Sequence, residues 1–202
     1  MDCGMLLARP ELYDGCWSLC SEERRAKAGR LLRPEDRAAS MGVYTLFAVG
    51  LRQMTGTADL PALRVARGGK PYAELEGICF NFSHSGSYAA CGFSPSPLGV
   101  DVECGVRNMS RRAVRRWGCR EAYGKYTGRG LAEKLAPSAF DHIDRDGTFA
   151  WEGQYLYSKA LDGCVLSVFS AGRRVILEKV GEADLRRFLK ERERSISEST
   201  GI

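Results

Sequence analysis

Gly99-Val100-Asp101-Val102-Glu103 is the stretch on which the reading of this 202-residue chain turns. Val100 and Val102 alternate with Asp101 and Glu103, the two-residue period of a half-buried strand. Residues two apart on a strand share a face, so both carboxylates project together from a surface whose other side is apolar. Like charges placed that close repel, unless a cation lies between them or one carboxyl takes up a proton. A hard, oxygen-liganded ion such as Mg2+ meets that need, because it takes one or two carboxylates and shares its other positions with substrate phosphates. Two solvated acids on an exposed strand are the plainer reading of the same pattern, and the flanking chain has to decide between them.

Downstream, an arginine-rich helix is expected from about Met109, with Arg111, Arg112, Arg115 and Arg116 at its start. It leads into Trp117-Gly118-Cys119-Arg120-Glu121-Ala122-Tyr123-Gly124-Lys125, and Gly128 and Gly130 end it. Glu121 and Lys125 are spaced as a surface ion pair on a helix. Gly124 inside a helix costs about 1 kcal/mol relative to alanine, which marks a close contact. Strands are expected at 139–143, 148–151, 154–159, 164–169 and 174–180, with Asp162-Gly163 as a turn between two of them. His142 is read as structural. A helix over 182–193 and a disordered tail over 195–202 complete this side.

Upstream, Pro95 and Pro97 mark a composition break and a candidate boundary. Before it, Ile78-Cys79-Phe80-Asn81-Phe82-Ser83 alternates as a strand with Ile78, Phe80 and Phe82 on one face. His84-Ser85-Gly86 turns the chain into a second strand over 88–93. A histidine at a strand end is more often structural, but with a serine on either side it also makes an anion site. Arg67-Gly68-Gly69-Lys70-Pro71 reads as a turn after a short strand at 63–66, and its glycines would let a ligand approach the backbone. Pro34 fits the first turn of a core helix running to about Met54 and stopped by Gly56. On it Arg37, Ser40 and Tyr44 share a polar stripe. A shorter helix, capped by Ser21 and running to about Leu32, puts Arg24 and Lys27 on one face. Residues 1–20 read as strand and loop.

The bulk numbers narrow the function. Net charge is +5, which suits anionic partners without naming them. No zinc finger, RNA-recognition signature or helix-turn-helix accompanies the basic clusters, so nucleic acid is not the expected partner. The eight cysteines form no Cys-x-x-Cys pair and only two histidines accompany them, which argues against zinc. No apolar run has membrane-span length and no signal pattern opens the chain, so a cytoplasmic protein with no membrane attachment is expected, its cysteines free or buried rather than disulfide-bonded.

Taken in order, Gly69-Lys70-Pro71, Phe80-Asn81-Phe82-Ser83-His84-Ser85-Gly86, Gly99-Val100-Asp101-Val102-Glu103 and Trp117-x-x-Arg120-Glu121-x-x-x-Lys125 resemble the motifs of the phosphopantetheinyl transferases, of the surfactin-synthetase-activating type. Residues 21–37 resemble that family's first basic helix and Glu-Asp turn. The resemblance covers residues 20 to 170. It implies an α+β fold of two similar subdomains related by a pseudo-twofold axis, each a long helix on a small, mainly antiparallel sheet. The division would fall at 1–97 and 98–202, in a monomer.

The activity implied is Mg2+-dependent (or Mn2+-dependent) transfer of 4′-phosphopantetheine from coenzyme A to a serine of an acyl or peptidyl carrier protein. Asp101, Glu103 and Glu121 would hold the metal. Glu121 or Glu103 would take the serine proton, and Lys125 would serve the departing phosphate. Arg24, Lys27, Ser40 and His84 would hold phosphates, Lys70 and Pro71 would flank the adenine, and Ser83 would bond nearby. Two departures stand out: Arg120 replaces the family's usual lysine, and a Phe-Ser/Ala-x-x-Glu element between Glu103 and Glu121 is missing. That element often helps to dock the carrier, so its loss keeps two other readings open, a coenzyme A-binding homologue without transferase activity and a metal-dependent nucleotide pyrophosphate hydrolase.

Overall fold

The structure, a computed structural model, describes residues 3–8, 17, 20–57, 60–66, 69–86, 88–105, 109–130 and 135–200. In chain order the elements are β1 (Cys3–Ala8), α1 (Glu22–Gly29), α2 (Pro34–Thr55), β2 (Arg64–Val65), β3 (Pro71–Tyr72), β4 (Cys79–Ser85), β5 (Tyr88–Ser94) and β6 (Leu98–Cys104). They continue with α3 (Arg111–Thr127), β7 (Gly147–Trp151), β8 (Gln154–Ala160), β9 (Cys164–Ser170), β10 (Val175–Lys179) and α4 (Glu182–Thr200). The fold is α+β. One four-stranded sheet has the order β10-β1-β5-β4, the other β6-β9-β8-β7, and β2 and β3 form a separate hairpin. All pairings are antiparallel except β1 with β10. In both large sheets a strand followed by helix pairs with the last strand of a later hairpin: β1 with β5, and β6 with β9.

Three apolar cores follow from strand alternation and give the layers. Phe47 of α2 packs against Phe80, Phe82 and Phe93, with ring centroids 4.5, 5.8 and 6.0 Å away. Leu185 and Phe188 of α4 close that core from the side. The opposite face of β5 (Tyr88, Ala90) meets Leu98, Val100 and Val102 of β6 and Leu166 and Val168 of β9, so the sheets share a core. On the far face of the second sheet, Cys119 and Ala122 of α3 pack with Leu156, Phe169, Phe140 and Ile143. Burying each large side chain contributes about 1.5–3 kcal/mol, and deleting Phe47 would cost about 3–5 kcal/mol.

Local signals account for the helix ends. Ser21 and Ser110 cap α1 and α3 by accepting from the N–H groups of Arg24 and Ala113. Pro34 opens α2, and Gly56 and Gly128 end α2 and α3 in the left-handed region. Gly124 is a close contact as expected, since a Cβ there would lie 2.4 Å from the Gly130 carbonyl oxygen.

Several expectations are corrected. Residues 139–142 form turns rather than a strand, packed by Phe140 and Ile143 under α3. The last helix runs on to Thr200, through the stretch read as a disordered tail. β4 extends to Ser85, so His84 lies inside the strand. The division at Pro97 does not hold for the end of the chain: β10 pairs with β1 and α4 packs on the first core, so residues 175–200 belong with the first sheet. Cys104 and Cys164, opposite each other across β6 and β9, are disulfide-bonded. Register brings them together where spacing gave no hint, while Cys79 and Cys119 remain thiols. Residues 9–16 and 18–19, part of the expected N-terminal strand and loop, lie outside the described residues, as do Arg67 and Gly68. Among the described residues, no helix is long and apolar enough to cross a membrane.

Candidate active site

β6 decides the geometry. Val100 and Val102 point into the core between the sheets, so Asp101 and Glu103 point to the α3 side. α3 approaches that face closely because both surfaces carry glycine. A Cβ on Gly99 would fall 1.8 Å from the Ala122 carbonyl oxygen, and one on Gly118 would fall 3.3 Å from Asp101 Oδ2. The approach brings Glu121 and Lys125, one turn apart on α3, over the acids of β6.

Asp101 is 3% exposed. Its Oδ1 accepts from Lys125 Nζ at 2.7 Å and from Ser83 Oγ at 3.0 Å, while Oδ2 is buried without a partner among the described residues. Lys125 Nζ also donates to Ser83 Oγ and to the Val100 carbonyl, both at 3.1 Å, which uses all three of its hydrogens. Lys125 is therefore the counter-ion of Asp101 rather than the surface partner of Glu121. Burial, then the Asp101 charge, raises the pKa of Glu103 above the ordinary carboxylate range, with the Ser85 hydrogen bond and Lys125 opposing. Glu121 is raised for the same two leading reasons, with Lys125 opposing and Glu103 adding to the rise. Two carboxylates with raised proton affinity beside an unpartnered buried oxygen form a site with more negative charge than its protein partners neutralise.

These groups line a cleft of about 440 Å3. Arg24 and Lys27 from α1, Asp36 and Ser40 from α2, and His84 from β4 also line it. Arg24 Nη2 donates to the Ser40 carbonyl, and its Nε is buried without a partner among the described residues. Burial lowers the pKa of Arg24, with Cys20 and Tyr44 opposing. His84 keeps much of its surface exposed, yet desolvation by the surrounding chain lowers its pKa. The charges of Lys125 and Arg24 add to that shift and Asp36 opposes it. The cleft thus combines the acids of β6 and α3 with Arg24, Lys27 and His84 of α1 and β4, and Arg24 Nε is a spare donor among the described residues.

Every expected site residue except Lys70 lines this cleft: Arg24, Lys27, Ser40, Pro71, Ser83, His84, Asp101, Glu103, Glu121 and Lys125. Lys70 turns away. Its Nζ donates to the carbonyls of Leu98 and Lys125, each at 3.0 Å, and burial lowers its pKa. A second pocket is walled by Tyr44, Leu60, Leu63, Val65 and Pro71 and shares Arg24 and Lys27 with the cleft. Sequence reasoning missed this pocket, because residues 60–65 carry no motif.

Ser85 was read as flanking an anion site at His84, and Asn81 only as polar on its strand face; both bond instead to β6. Asn81 Oδ1 accepts the Val100 N–H at 2.8 Å, and Ser83 Oγ and Ser85 Oγ accept those of Val102 and Cys104 at 3.1 Å each. Their alternation was legible, but not its partner. Leaving one such buried amide unpaired would cost about 1–3 kcal/mol.

The arginines of α3 are mostly committed to the fold. Arg115 is 3% exposed and bonds to Ser158 Oγ at 2.6 Å and Asp146 Oδ1 at 2.7 Å. Arg116 pairs with Asp141 at 2.6 Å, Arg112 reaches the Asp141 carbonyl at 3.0 Å, and Arg120 the Ala136 carbonyl at 2.7 Å. They clamp residues 135–146 against the helix.

Among the described residues, no three His, Cys, Asp or Glu side chains form a ready-made metal cage. The donor set nevertheless fits a hard divalent cation: Asp101, Glu103 and Glu121, from β6 and α3, line one cleft, and Asp101 Oδ2 is buried without a partner among the described residues. No family model matches the chain, and no curated protein matches it.

Proposed function

We propose that this protein transfers 4′-phosphopantetheine from coenzyme A to a serine hydroxyl of an acyl or peptidyl carrier protein, in a divalent-cation-dependent reaction that releases adenosine 3′,5′-bisphosphate. The observation that carries the reading is the cleft, in which motifs far apart in sequence combine carboxylates with cationic donors. A doubly phosphorylated nucleotide with a pyrophosphate fits that combination. Arg24, Lys27 and His84 would take the 3′-phosphate, and the Tyr44–Leu63 pocket offers an apolar seat for the base.

In the transfer, the serine oxygen forms a bond to the phosphorus that carries the pantetheine arm, and the bond from that phosphorus to the bridging oxygen breaks. Catalysis of this kind is mostly positioning and charge neutralisation. Asp101, Glu103 and Glu121 would hold Mg2+, which supplies Lewis acidity toward the pyrophosphate when bound. Glu121 or Glu103 would accept the serine proton, directly or through a water. Ser83 and Lys125 hold Asp101 in place, and Lys125 balances its charge.

The reading includes two similar halves related by a pseudo-twofold axis. The matched strand orders β1-β5-β4 and β6-β9-β8, each with a helix after its first strand, support that. Carrier docking falls to the exposed start of α3, with Arg111, Met109 and Trp117, because Arg112, Arg115, Arg116 and Arg120 are engaged within the fold.

Intact-mass measurement of carrier proteins incubated with coenzyme A and Mg2+ tests the reading. A carrier that gains the mass of phosphopantetheine supports it. Free phosphopantetheine in its place would mean a hydrolase, and unchanged carrier and coenzyme A would mean a binder.

A further inference from the structure

β4 and β6 belong to different sheets, and β4 pairs with β5 while β6 pairs with β9. Between β4 and β6 the bonding is from side chain to main chain. Asn81 bonds to Val100, Ser83 to Val102 and Ser85 to Cys104, a constant offset along two strands that run side by side. Each rung satisfies a β6 amide directed away from β9. The two serines do a second thing. Ser83 Oγ donates to Asp101 Oδ1 at 3.0 Å, and Ser85 Oγ donates to Glu103 Oε1 at 3.3 Å. Each hydroxyl therefore accepts from one β6 amide and donates to the carboxylate of the residue just before it. Lys70, from the hairpin turn, adds a fourth crossing through the carbonyls of Leu98 and Lys125.

We propose that Asn81, Ser83, Ser85 and Lys70 form one polar seam that sets the position of Asp101, Glu103 and Lys125 in the cleft, and that Asn81, Ser85 and Lys70 are positioning residues. Its functional half rests on the metal reading proposed above. The spacing makes the seam a register lock. Side chains alternate with period two, so a slip of one residue would bring Phe82 and His84 to the β6 edge, and a slip of two would separate each acid from its serine. Lys70 has a structural job here, with its ammonium on two carbonyls instead of on a base.

The test compares unmodified protein with Ser85→Ala, Ser85→Thr and Asn81→Leu by amide hydrogen exchange and by Mn2+ binding followed by electron paramagnetic resonance. Ser85→Ala should speed exchange at Cys104 about tenfold, the factor of one ordinary hydrogen bond, and leave the amides of β8 and β9 unchanged. Asn81→Leu should do the same at Val100. Ser85→Ala should also weaken Mn2+ roughly tenfold, and Ser85→Thr should restore both readings. Uniformly faster exchange, or unchanged exchange at Cys104, would overturn the seam while the metal reading stands. Local exchange with unaltered Mn2+ affinity would make the seam purely structural and overturn its positioning role. Failure of the unmodified protein to bind Mn2+ would overturn the metal reading and the functional half together.

Discussion

β1 and β6 hold matching places in their sheets, each paired on one side with the last strand of a hairpin, yet their other edges are closed differently. β1 is closed by the backbone of β10, in parallel pairing from Cys3 to Leu7. β6 is closed by side chains from β4. A backbone ladder satisfies every amide and leaves no room beside the strand. A side-chain closure satisfies the same amides with groups that have bonding capacity to spare, and two of these groups bear on carboxylates. The proposed site is gathered on the edge that backbone pairing leaves open.

The hardest blow to the β6 side is Gly99→Ala. Its Cβ would meet main-chain atoms of Ala122 and Tyr126, at 1.8 and 2.5 Å, and neither can swing aside. A loss of at least about 3 kcal/mol is expected in denaturant unfolding, because α3 must lift from the sheet. Asp101→Ala comes next. It removes the central carboxylate and leaves Lys125 without its counter-ion, and transfer should fall at least about a hundredfold, the scale of a few kcal/mol of transition-state stabilisation. Steady-state rates with Mg2+ check this, and near-normal turnover would count against the carboxylate site.

Arg24, Lys27 and His84 should respond more gently, since the proposed reaction gives them binding and no bond-making step. Arg24→Ala should weaken coenzyme A by about ten- to a hundredfold and leave dephospho-coenzyme A nearly untouched, which competition binding with both ligands would show. Equal loss for both would place Arg24 on the pyrophosphate.

The smallest expected effect is a pH dependence through His84. Its folded-state pKa lies below the ordinary histidine value, so the unfolded chain binds more protons near pH 6. His84 thus adds stability above the ordinary value, and this is lost as pH falls from that value through the lowered one. An anion beside the imidazolium reverses the bias. Affinity for coenzyme A should rise up to about tenfold between pH 8 and 6, more than for dephospho-coenzyme A, and His84→Gln should remove the difference.

Much of this contrast was legible in the chain. The alternation of valine with acid gave β6 and the face its carboxylates share, and Ser21, Pro34, Gly56 and Gly128 bounded the helices. The opposite faces of β4 were also visible, with Phe80 and Phe82 on one side and Asn81 and Ser83 on the other. Where that polar face would find its partners was not, because strand periodicity fixes a side and never the neighbour across a gap. The same limit hid the Cys104–Cys164 bond, which arises from register sixty residues apart. It also hid the return of β10 to the first sheet and the use of Arg115 inside the fold, where a run of arginines reads as a solvated surface. The ammonium of Lys70 points to main-chain carbonyls that no local pattern could indicate.

In the proposed reaction the side-chain-closed edge of β6 is a divalent-cation site for the phosphates of coenzyme A. Calorimetric titration of coenzyme A, with and without Mg2+, into the unmodified protein and Asp101→Asn tests it most directly. The account predicts that Mg2+ strengthens binding by at least about tenfold in the unmodified protein and by nothing in the variant, the gain expected from a cation shared between carboxylate and phosphate. Equal affinity with and without Mg2+, or the same Mg2+ gain in both proteins, would contradict it.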